Sequence, residues 1–312
     1  MSHPQPAASD RHLRAHAKIN LDLRLLAVRP DGYHELVTVL QTVGLHDTLR
    51  FTSSPGPFRL VCDTPGVPAD RTNLVWRAAE RLWAAAGRPG QPEGVTVTLE
   101  KRVPVQAGLG GGSADAAAAL LGLDAVWGLH LSEPVLRGLG SELGADVPYF
   151  FTGGTCVGRG RGDRVEVLPD LTPHQVLIAL PAFGVATPEA YRWYDEDGWP
   201  ASAAPAYPLD ASAWPAWLER CRNDLQASIA ARHAEIDALV HELRAGGARL
   251  AAMSGSGSAV FGLFDEWPLV EQAADRLTAR GVRCLRTVTL GRADYERSLA
   301  GDLGLPGRAM VV

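Results

Sequence analysis

The chain has 312 residues, 46% of them hydrophobic and 21% charged, with a formal net charge of −5. That length allows two domains or one large one, and the composition is ordinary for a globular protein. The acidic balance argues against general nucleic-acid affinity but leaves room for a local basic pocket, and four scattered cysteines (Cys62, Cys156, Cys221, Cys284) without a C-x-x-C pair argue against a zinc site or disulfide scaffold and suit a reducing cytoplasm.

The first dozen residues are polar, lack the apolar core of a signal peptide and are expected to form a loose tail. From Leu13 to Leu25 apolar and polar residues alternate, which predicts a half-buried strand with Lys18 and Asn20 on its polar, solvated face. A turn at Arg29-Pro-Asp-Gly32 leads to a second β-like run, Glu35 to Val43. Asn73 to Ala86 reads as an amphipathic helix. Val95, Val97 and Leu99 then alternate with polar residues as a strand, a glycine-rich loop follows, and an alanine-rich helix begins. The apolar stretch from Ala116 to Trp127, interrupted by Asp124, is too short to span a bilayer. Ser132 to Leu143 reads as a short helix that Ser132 can cap, with Pro134 in its first turn.

Val176 to Leu180 is a short buried strand, and Asp195 to Trp214 a long connection. Helices are predicted from Trp214 to Ala230 and from His233 to Ala245. Leu250 to Phe264 reads as a hairpin around Gly255-Ser-Gly-Ser258, followed by a helix near Leu269 to Arg280 and a strand from Val282 to Leu290. Mixed elements without a regular βαβ rhythm predict an α+β protein. Punctuation near residues 160 to 175 suggests a domain boundary there.

The glycine loop carries the most information. Four glycines within Gly108 to Gly112 precede a helix start, where bare backbone amides and the helix dipole can hold a phosphate. A dinucleotide fingerprint would need a glycine where Ser113 stands and an acidic residue on a second strand, whereas Asp124 falls in the continuing helix. A P-loop would need a Lys after the glycines, and none follows. A plain strand-to-helix turn would need fewer glycines. Asp115, just after them, suits the helix dipole but opposes a bound phosphate, so it is expected to point away or act through Mg²⁺. Asp146, in an apolar setting, reads by itself as a helix or turn cap, the usual job of an isolated Asp, ahead of a catalytic group.

Several segments together narrow the choice. Pro104-x-x-x-Gly-Leu-Gly-Gly-Gly-Ser-Ala114 resembles the second motif of the GHMP kinases. Ala17-Lys-Ile-Asn-Leu21, Arg29-Pro-Asp-Gly-Tyr-His34 and Leu36-x-x-x-x-Gln41 resemble an amino-terminal signature in that family. Leu143-Gly-Ala-Asp-Val-Pro-Tyr-Phe150 is similar to its catalytic-aspartate segment and Met253-Ser-Gly-Ser-Gly-Ser258 to its third motif. Gly184-Val-x-Thr-Pro188 and Arg222-Asn-Asp224 also fit. The resemblance runs in order from about residue 14 to 290.

That resemblance implies a two-domain α+β GHMP kinase fold. A ribosomal protein S5 domain 2-like, ATP-binding N-terminal domain would span residues 11–165, and an α/β-plait-like C-terminal domain residues 166–300. It implies ATP-dependent phosphorylation, with Mg²⁺, of the 2-hydroxyl of a cytidine diphosphate sugar alcohol of the non-mevalonate isoprenoid pathway. Asp146 would take the hydroxyl proton, and Lys18 would stabilise charge on the transferring phosphoryl group. Pro104, Val105, Gln106, Ala107, Gly108, Leu109, Gly110, Gly111, Gly112, Ser113 and Ala114 would bind ATP, with the Ser113 hydroxyl the candidate protein ligand for Mg²⁺. Asn20, Tyr33, His34, Thr187 and Tyr191 would bind the acceptor, Tyr33 stacking on the cytosine and His34 bonding its edge. Gly255, Ser256 and Gly257 would shape the pocket beside the phosphate loop. The partners implied are small molecules, with no nucleic acid and no membrane, in the cytoplasm.

Alternatives remain open at this point: another GHMP kinase of mevalonate or homoserine type, a related decarboxylase, or a nucleotide sensor that lost catalysis. Asp31-Gly-Tyr-His34 favours the cytidyl acceptor, and the presence of both Lys18 and Asp146 favours catalysis. The other histidines show no metal-ligand spacing. Arg159, Arg161 and Arg164 read as a solvated turn rather than a phosphate clamp.

Overall fold

A computed structural model describes residues 11–208 and 210–303 of the chain, so most of the expected amino-terminal tail lies outside the described residues. The first half comprises β1 (Arg11–Val28), β2 (His34–Pro57), β3 (Arg59–Val61), α1 (Leu74–Ala85), β4 (Glu93–Glu100), α2 (Gly111–Trp127), α3 (Glu133–Leu143), a 3₁₀ turn (Val147–Phe151), β5 (Thr155–Gly160) and β6 (Arg164–Val167). The second comprises β7 (Gln175–Leu180), α4 (Thr187–Asp197), α5 (Trp214–Leu218), α6 (Gln226–Arg232), α7 (Glu235–Ala245), β8 (Leu250–Met253), β9 (Val260–Phe264), α8 (Trp267–Ala279), β10 (Arg283–Val288) and α9 (Arg292–Leu303). No helix among the described residues is long and apolar enough to cross a membrane.

Two sheets organise these elements. The first runs β3-β4-β2-β5-β6, with β1 paired antiparallel to β2, and the second runs β10-β7-β9-β8. Helices α1, α2 and α3 pack together on the first sheet, and α7 and α8 cover the second. The α+β expectation holds. Helix α2 is apolar on all sides because it is enclosed between strands and helices, and its small residues allow close approach: a Cβ on Gly122 would stand 2.2 Å from the Phe51 ring.

The expectation of a solvated face on β1 fails. His16, Lys18, Asn20 and Asp22 are all buried. The second half of the chain covers that strand: Leu23 N donates to Arg222 O, Asp224 N donates to Leu23 O, and Asn20 N donates to the Ser254 hydroxyl. Alternation reports two chemically different faces, and here the polar one meets protein instead of water. Ala17, Ile19 and Leu21 share a buried cluster with Val176, Ile178, Phe261 and Leu263 of the second sheet.

Other boundaries shift for local reasons. The helix expected over 214–230 is broken into α5 and α6. Between them Asn223 turns inward and donates from Nδ2 to the carbonyls of Met253 and Gly255, while its Oδ1 accepts from Leu225 N. The connection expected from residue 195 begins with the last turn of α4, which ends at Gly198 in the left-handed region. Asn73 caps α1 by accepting from Val75 N, but Ser132, at the cap position of α3, makes no side-chain cap bond. Helix α9 packs against β1, where the His16 ring lies between Val43 O (3.3 Å from Nδ1) and the Ser298 hydroxyl (2.9 Å from Nε2).

Burial, and then the neighbouring His46, lower the pKa of His16 from 6.5 to about 4. The folded state therefore holds this ring neutral while the unfolded chain protonates it. The resulting stability is complete above pH 6.5 and is lost as pH falls towards 4. Urea unfolding at pH 7 and 4.5 should show a loss of ~2–3 kcal/mol that is absent in His16→Gln. An equal loss in the variant would remove His16 as its source.

Candidate active site

A cavity of about 720 Å³ opens where the glycine loop, β1, the 3₁₀ turn and the β8–β9 turn converge. Its centre is Lys18. The buried ammonium donates to Asn20 Oδ1 at 2.6 Å and to Gly108 O at 2.9 Å, and stands 3.5 Å from Asp146 Oδ2. Asn20 is fixed in turn, donating from Nδ2 to the Thr38 hydroxyl at 2.8 Å, which donates to Asp22 O. Asp146 precedes the 3₁₀ turn but makes no cap bond with its side chain, so the turn-cap reading fails; the carboxylate, about one-third exposed, faces Lys18.

The glycine loop closes over this ammonium. Gly108 and Gly110 take positive φ (74° and 70°), and even Gln106 does (54°). Lys18 N donates to Leu109 O, so the loop is tied to β1 through backbone as well as side chain. The first helical bond of α2 is from Ala114 N to Gly110 O, which leaves the amides of Gly111, Gly112 and Ser113 at the cavity wall. Pro104 to Ser113 all line the cavity. Ala114 does not: its side chain is buried in the core under α2, and its amide is used by the helix.

The second glycine turn locks onto the first. The Ser254 hydroxyl donates to Gly108 O at 2.9 Å, and Ala259 N donates to Ala107 O. Gly255 and Ser256 line the cavity, whereas Gly257 lies within the turn, where a Cβ would meet Met253 Sδ at 2.7 Å. The Ser256 and Thr187 hydroxyls are 3.0 Å apart.

Towards the mouth, Thr187 and Tyr191 line the wall. Burial, and then the charge of Asp146, push the Tyr191 phenol well up from its usual range, so it remains a neutral donor. Tyr33 and His34 stand just beyond the lining. His34 is buried, its ring 5.1 Å from that of Tyr191 and its Nε2 2.8 Å from Asp195 Oδ1, while Tyr33 is 57% exposed beneath the Arg161 guanidinium. The arginine run is thus not a uniform solvated turn. Arg159 pairs with Glu166 and Arg164 with Glu35, but Arg161 lines the cavity.

Sequence reasoning missed three parts of the wall. The stretch leading into α1, including Val67, Pro68, Thr72, Asn73 and the first helical residue Leu74, forms part of the wall. Nothing in its composition marks it, since prolines and an Asn cap describe any loop entering a helix. Lys101 was also missed: its ammonium pairs with Asp47 and, at 2.7 Å, with Asp115. Burial works against that charge, but the two carboxylates hold its pKa above the ordinary lysine value. Asp115 itself is buried; that burial raises its pKa, Lys101 pulls it back, and its Oδ1 has no partner among the described residues. Arg161 is the third. The dinucleotide reading fails on Asp124, which is buried inside α2 and accepts from Leu131 N. No group of three or more His, Cys, Asp or Glu among the described residues could hold a metal ion.

Comparison with known proteins shows the family. Residues 73–154 match the GHMP kinases N terminal domain and residues 210–283 the GHMP kinases C terminal domain. The chain is 41% identical to 4-diphosphocytidyl-2-C-methyl-D-erythritol kinase of Synechococcus sp., over 85% of this chain and 88% of that one. It is 44% identical to the enzyme of the same name from Gloeobacter violaceus, over 80% and 84% respectively. A crystal structure of 4-(cytidine 5'-diphospho)-2C-methyl-D-erythritol kinase superposes with a TM-score of 0.74 at 37% identity, covering 90% of this chain and 99% of that one. Homoserine kinase from Cytophaga hutchinsonii shares the fold, with a TM-score of 0.65 at 19% identity over 93% of this chain and 98% of that one.

The interlock of the two glycine turns generates a prediction. A Cβ on Gly108 would fall 1.9 Å from the backbone oxygen of Ser254, and its φ of +74° disfavours a side chain in any case. Gly108→Ala should push the loop off Lys18 and weaken nucleoside triphosphate binding at least about ten-fold, given the 1–2 kcal/mol left-handed penalty alone. Calorimetric titration checks this, with circular dichroism to confirm folding; unchanged affinity would mean the loop does not depend on this contact.

Proposed function

We propose a chemistry for this site from one premise: the chain belongs to the GHMP kinases and, within them, to the 4-diphosphocytidyl-2-C-methyl-D-erythritol kinases. It is a small-molecule kinase of isoprenoid biosynthesis. The reaction is transfer of the γ-phosphoryl group of ATP to the 2-hydroxyl of 4-diphosphocytidyl-2-C-methyl-D-erythritol, giving the 2-phosphate and ADP. The observation that carries the residue assignment is Lys18, tied to the glycine loop and 3.5 Å from Asp146.

An ammonium has three N–H donors, and Asn20 and Gly108 take two of those of Lys18. The third is left on the side of Asp146, 3.5 Å away, where it meets the transferring phosphoryl group between the loop and that carboxylate. Asp146 accepts the proton of the 2-hydroxyl as its oxygen attacks the γ-phosphorus; the bond to the bridging β–γ oxygen breaks and ADP leaves. Such a transfer needs mostly positioning and charge stabilisation. The open amides of Gly111, Gly112 and Ser113 and the dipole of α2 serve the triphosphate, with Pro104 to Leu109 shaping the loop and Ala114 acting through the helix. The wall from Val67 to Leu74, with Val67, Pro68 and Leu74 as apolar surface beside the polar Thr72 and Asn73, suits the adenine.

Tyr33, His34 and Tyr191 form the aromatic mouth that takes the cytosine, with Thr187 and Asn20 as polar contacts nearer the chemistry. Gly255, Ser256 and Gly257 hold the second turn against the loop. Mg²⁺, when bound, neutralises the β- and γ-phosphates. The site fits it: Mg²⁺ keeps most of its water and phosphate ligands and needs few from protein. The Ser113 hydroxyl on the wall is the candidate ligand, and the unpartnered Oδ1 of Asp115 lies in the same stretch of α2. The proposed division of the chain into residues 11–165 and 166–300 lies near the change from one sheet to the other but cuts β6 (Arg164–Val167), whose pairing with β5 moves the first sheet's end to Val167. Four unpaired cysteines are in keeping with a cytoplasmic setting.

Asp146→Asn should fold and bind ATP within a few-fold of the parent but lose about 10²–10⁴-fold in kcat, the range of a general base. Near-normal turnover in a coupled ADP assay would remove Asp146 from the mechanism. The acceptor should also need its nucleotide. Methylerythritol phosphate without cytidine should show kcat/KM lower by about 10²-fold, in line with one stacked base; comparable turnover of the two acceptors would refute the roles of Tyr33, His34 and Tyr191.

A further inference from the structure

The acceptor carries a diphosphate between its base and the hydroxyl that reacts, and none of the residues assigned above meets that charge. Three cationic side chains line the cavity: Lys18, Lys101 and Arg161. Lys101 is enclosed by Asp47 and Asp115, and its side chain is only 6% exposed. Lys18 is committed to Asn20, Gly108 and Asp146 at the reacting end. Arg161 is different. Its side chain is 35% exposed, and its one side-chain hydrogen bond among the described residues runs from Nη2 to Asp163 Oδ2 at 3.1 Å. Nε and Nη1 make no hydrogen bond among the described residues.

Its position matches the middle of the acceptor. Arg161 sits on the turn between β5 and β6, with its guanidinium carbon 5.4 Å from the Tyr33 ring centroid. The next residue, Gly162, faces the reacting end, since a Cβ there would stand 4.0 Å from Asp146 Oδ1. Tyr33, Arg161 and Asp146 therefore follow one another in the same order as base, diphosphate and reacting hydroxyl in the acceptor. Asp163 also accepts from Arg161 N at 3.2 Å, so one carboxylate fixes both the backbone and the fork of this residue. The Tyr33 ring supports the guanidinium from one face.

We propose that Arg161 binds the diphosphate of the acceptor substrate, presenting its two open nitrogens to the phosphate oxygens between the cytidine site and Asp146. A planar guanidinium suits this task because its unengaged N–H bonds project in fixed directions, each able to give a charge-assisted hydrogen bond to a phosphate oxygen, whereas an ammonium acts as a point charge. Asp163 acts through Arg161 as a positioning residue. The proposal rests on the reading of Tyr33, His34 and Tyr191 as the cytidine site, and its test separates the two.

Cytidine and cytidine 5'-diphosphate are titrated calorimetrically into the full chain with the ATP site filled by a non-hydrolysable analogue. The parent, Arg161→Gln and Arg161→Lys are compared. In Arg161→Gln the affinity for cytidine should stay within two-fold, roughly, while that for the diphosphate falls at least about ten-fold, the loss expected of a charged hydrogen-bonded pair. Arg161→Lys should recover only part of the difference. In turnover the KM for the acceptor should rise with the KM for ATP unchanged. An unaltered ratio of diphosphate to cytidine affinity in Arg161→Gln overturns the proposal and leaves the cytidine reading standing. A rise confined to the KM for ATP overturns it in favour of a donor-side role. Failure of the parent to bind cytidine at all removes the cytidine reading and this proposal with it.

Discussion

The site depends on a single backbone carbonyl. Gly108 O accepts from the ammonium of Lys18 and from the hydroxyl of Ser254, one from each half of the chain. A carbonyl oxygen has two lone pairs, and both are used. Its position therefore fixes at once the base of the glycine loop, the cation beneath it and the turn of the second sheet. The contact exists only because residue 108 has no side chain, since a Cβ would collide with the Ser254 carbonyl. Leu109 O is likewise turned towards Lys18 N. With these carbonyls directed into the protein, the amides at the start of α2 are left for an anion.

The same geometry explains why β1 buries a polar row. Lys18, Asn20 and Asp22 would cost several kcal/mol each if they were enclosed without partners. Each has its partners. Asn20 passes from Lys18 to Thr38, and Thr38 to Asp22 O, while the Asp22 carboxylate accepts from Arg24 and from Arg222 N. Burial raises the pKa of Asp22, and the Arg222 amide and Arg24 draw it back. Such a network contributes little net stability compared with an apolar interface, but it admits only one register between the halves. A slip of one residue along β1 would leave the ammonium of Lys18 without Gly108 O and would strand Asp22.

These contacts set the limit of what the sequence reveals. The strands, the glycine loop, the capped start of α1 and the β8–β9 hairpin are legible because each depends on local spacing and on glycine or Asn chemistry. The pairing of Lys18 with Asn20 is legible too, as a consequence of period-two geometry. Which side of β1 meets water is not, because the answer lies in residues 222–224 and 254, two hundred positions away in the chain. The break between α5 and α6 was hidden for the same reason: Asn223 leaves the helix to reach the carbonyls of Met253 and Gly255. Arg161 could not be separated from Arg159 and Arg164 by composition, since only the fold decides which of three arginines on one hairpin faces the cavity.

On the proposed reading, the placement of Asp115 is compatible with phosphate at the loop although an acid stands one turn away. Its charge is met by Lys101, which is also held by Asp47; Asp47 in turn accepts from Arg102 N and Val103 N at the entrance to the loop. The lysine is held between two carboxylates, so it does not serve the phosphates as a free point charge, and the burial that raises the pKa of Asp115 works against the negative charge it would set against them. The three residues instead pin β2, the loop entrance and α2 to one another. What remains for a triphosphate is backbone: oriented amides, the helix dipole and a single shared ammonium at the reacting end. Backbone donors cannot swing away as a lysine side chain can, so the phosphate position is set by the fold itself. That fixed position is what the proposed in-line transfer to a hydroxyl beside Asp146 requires.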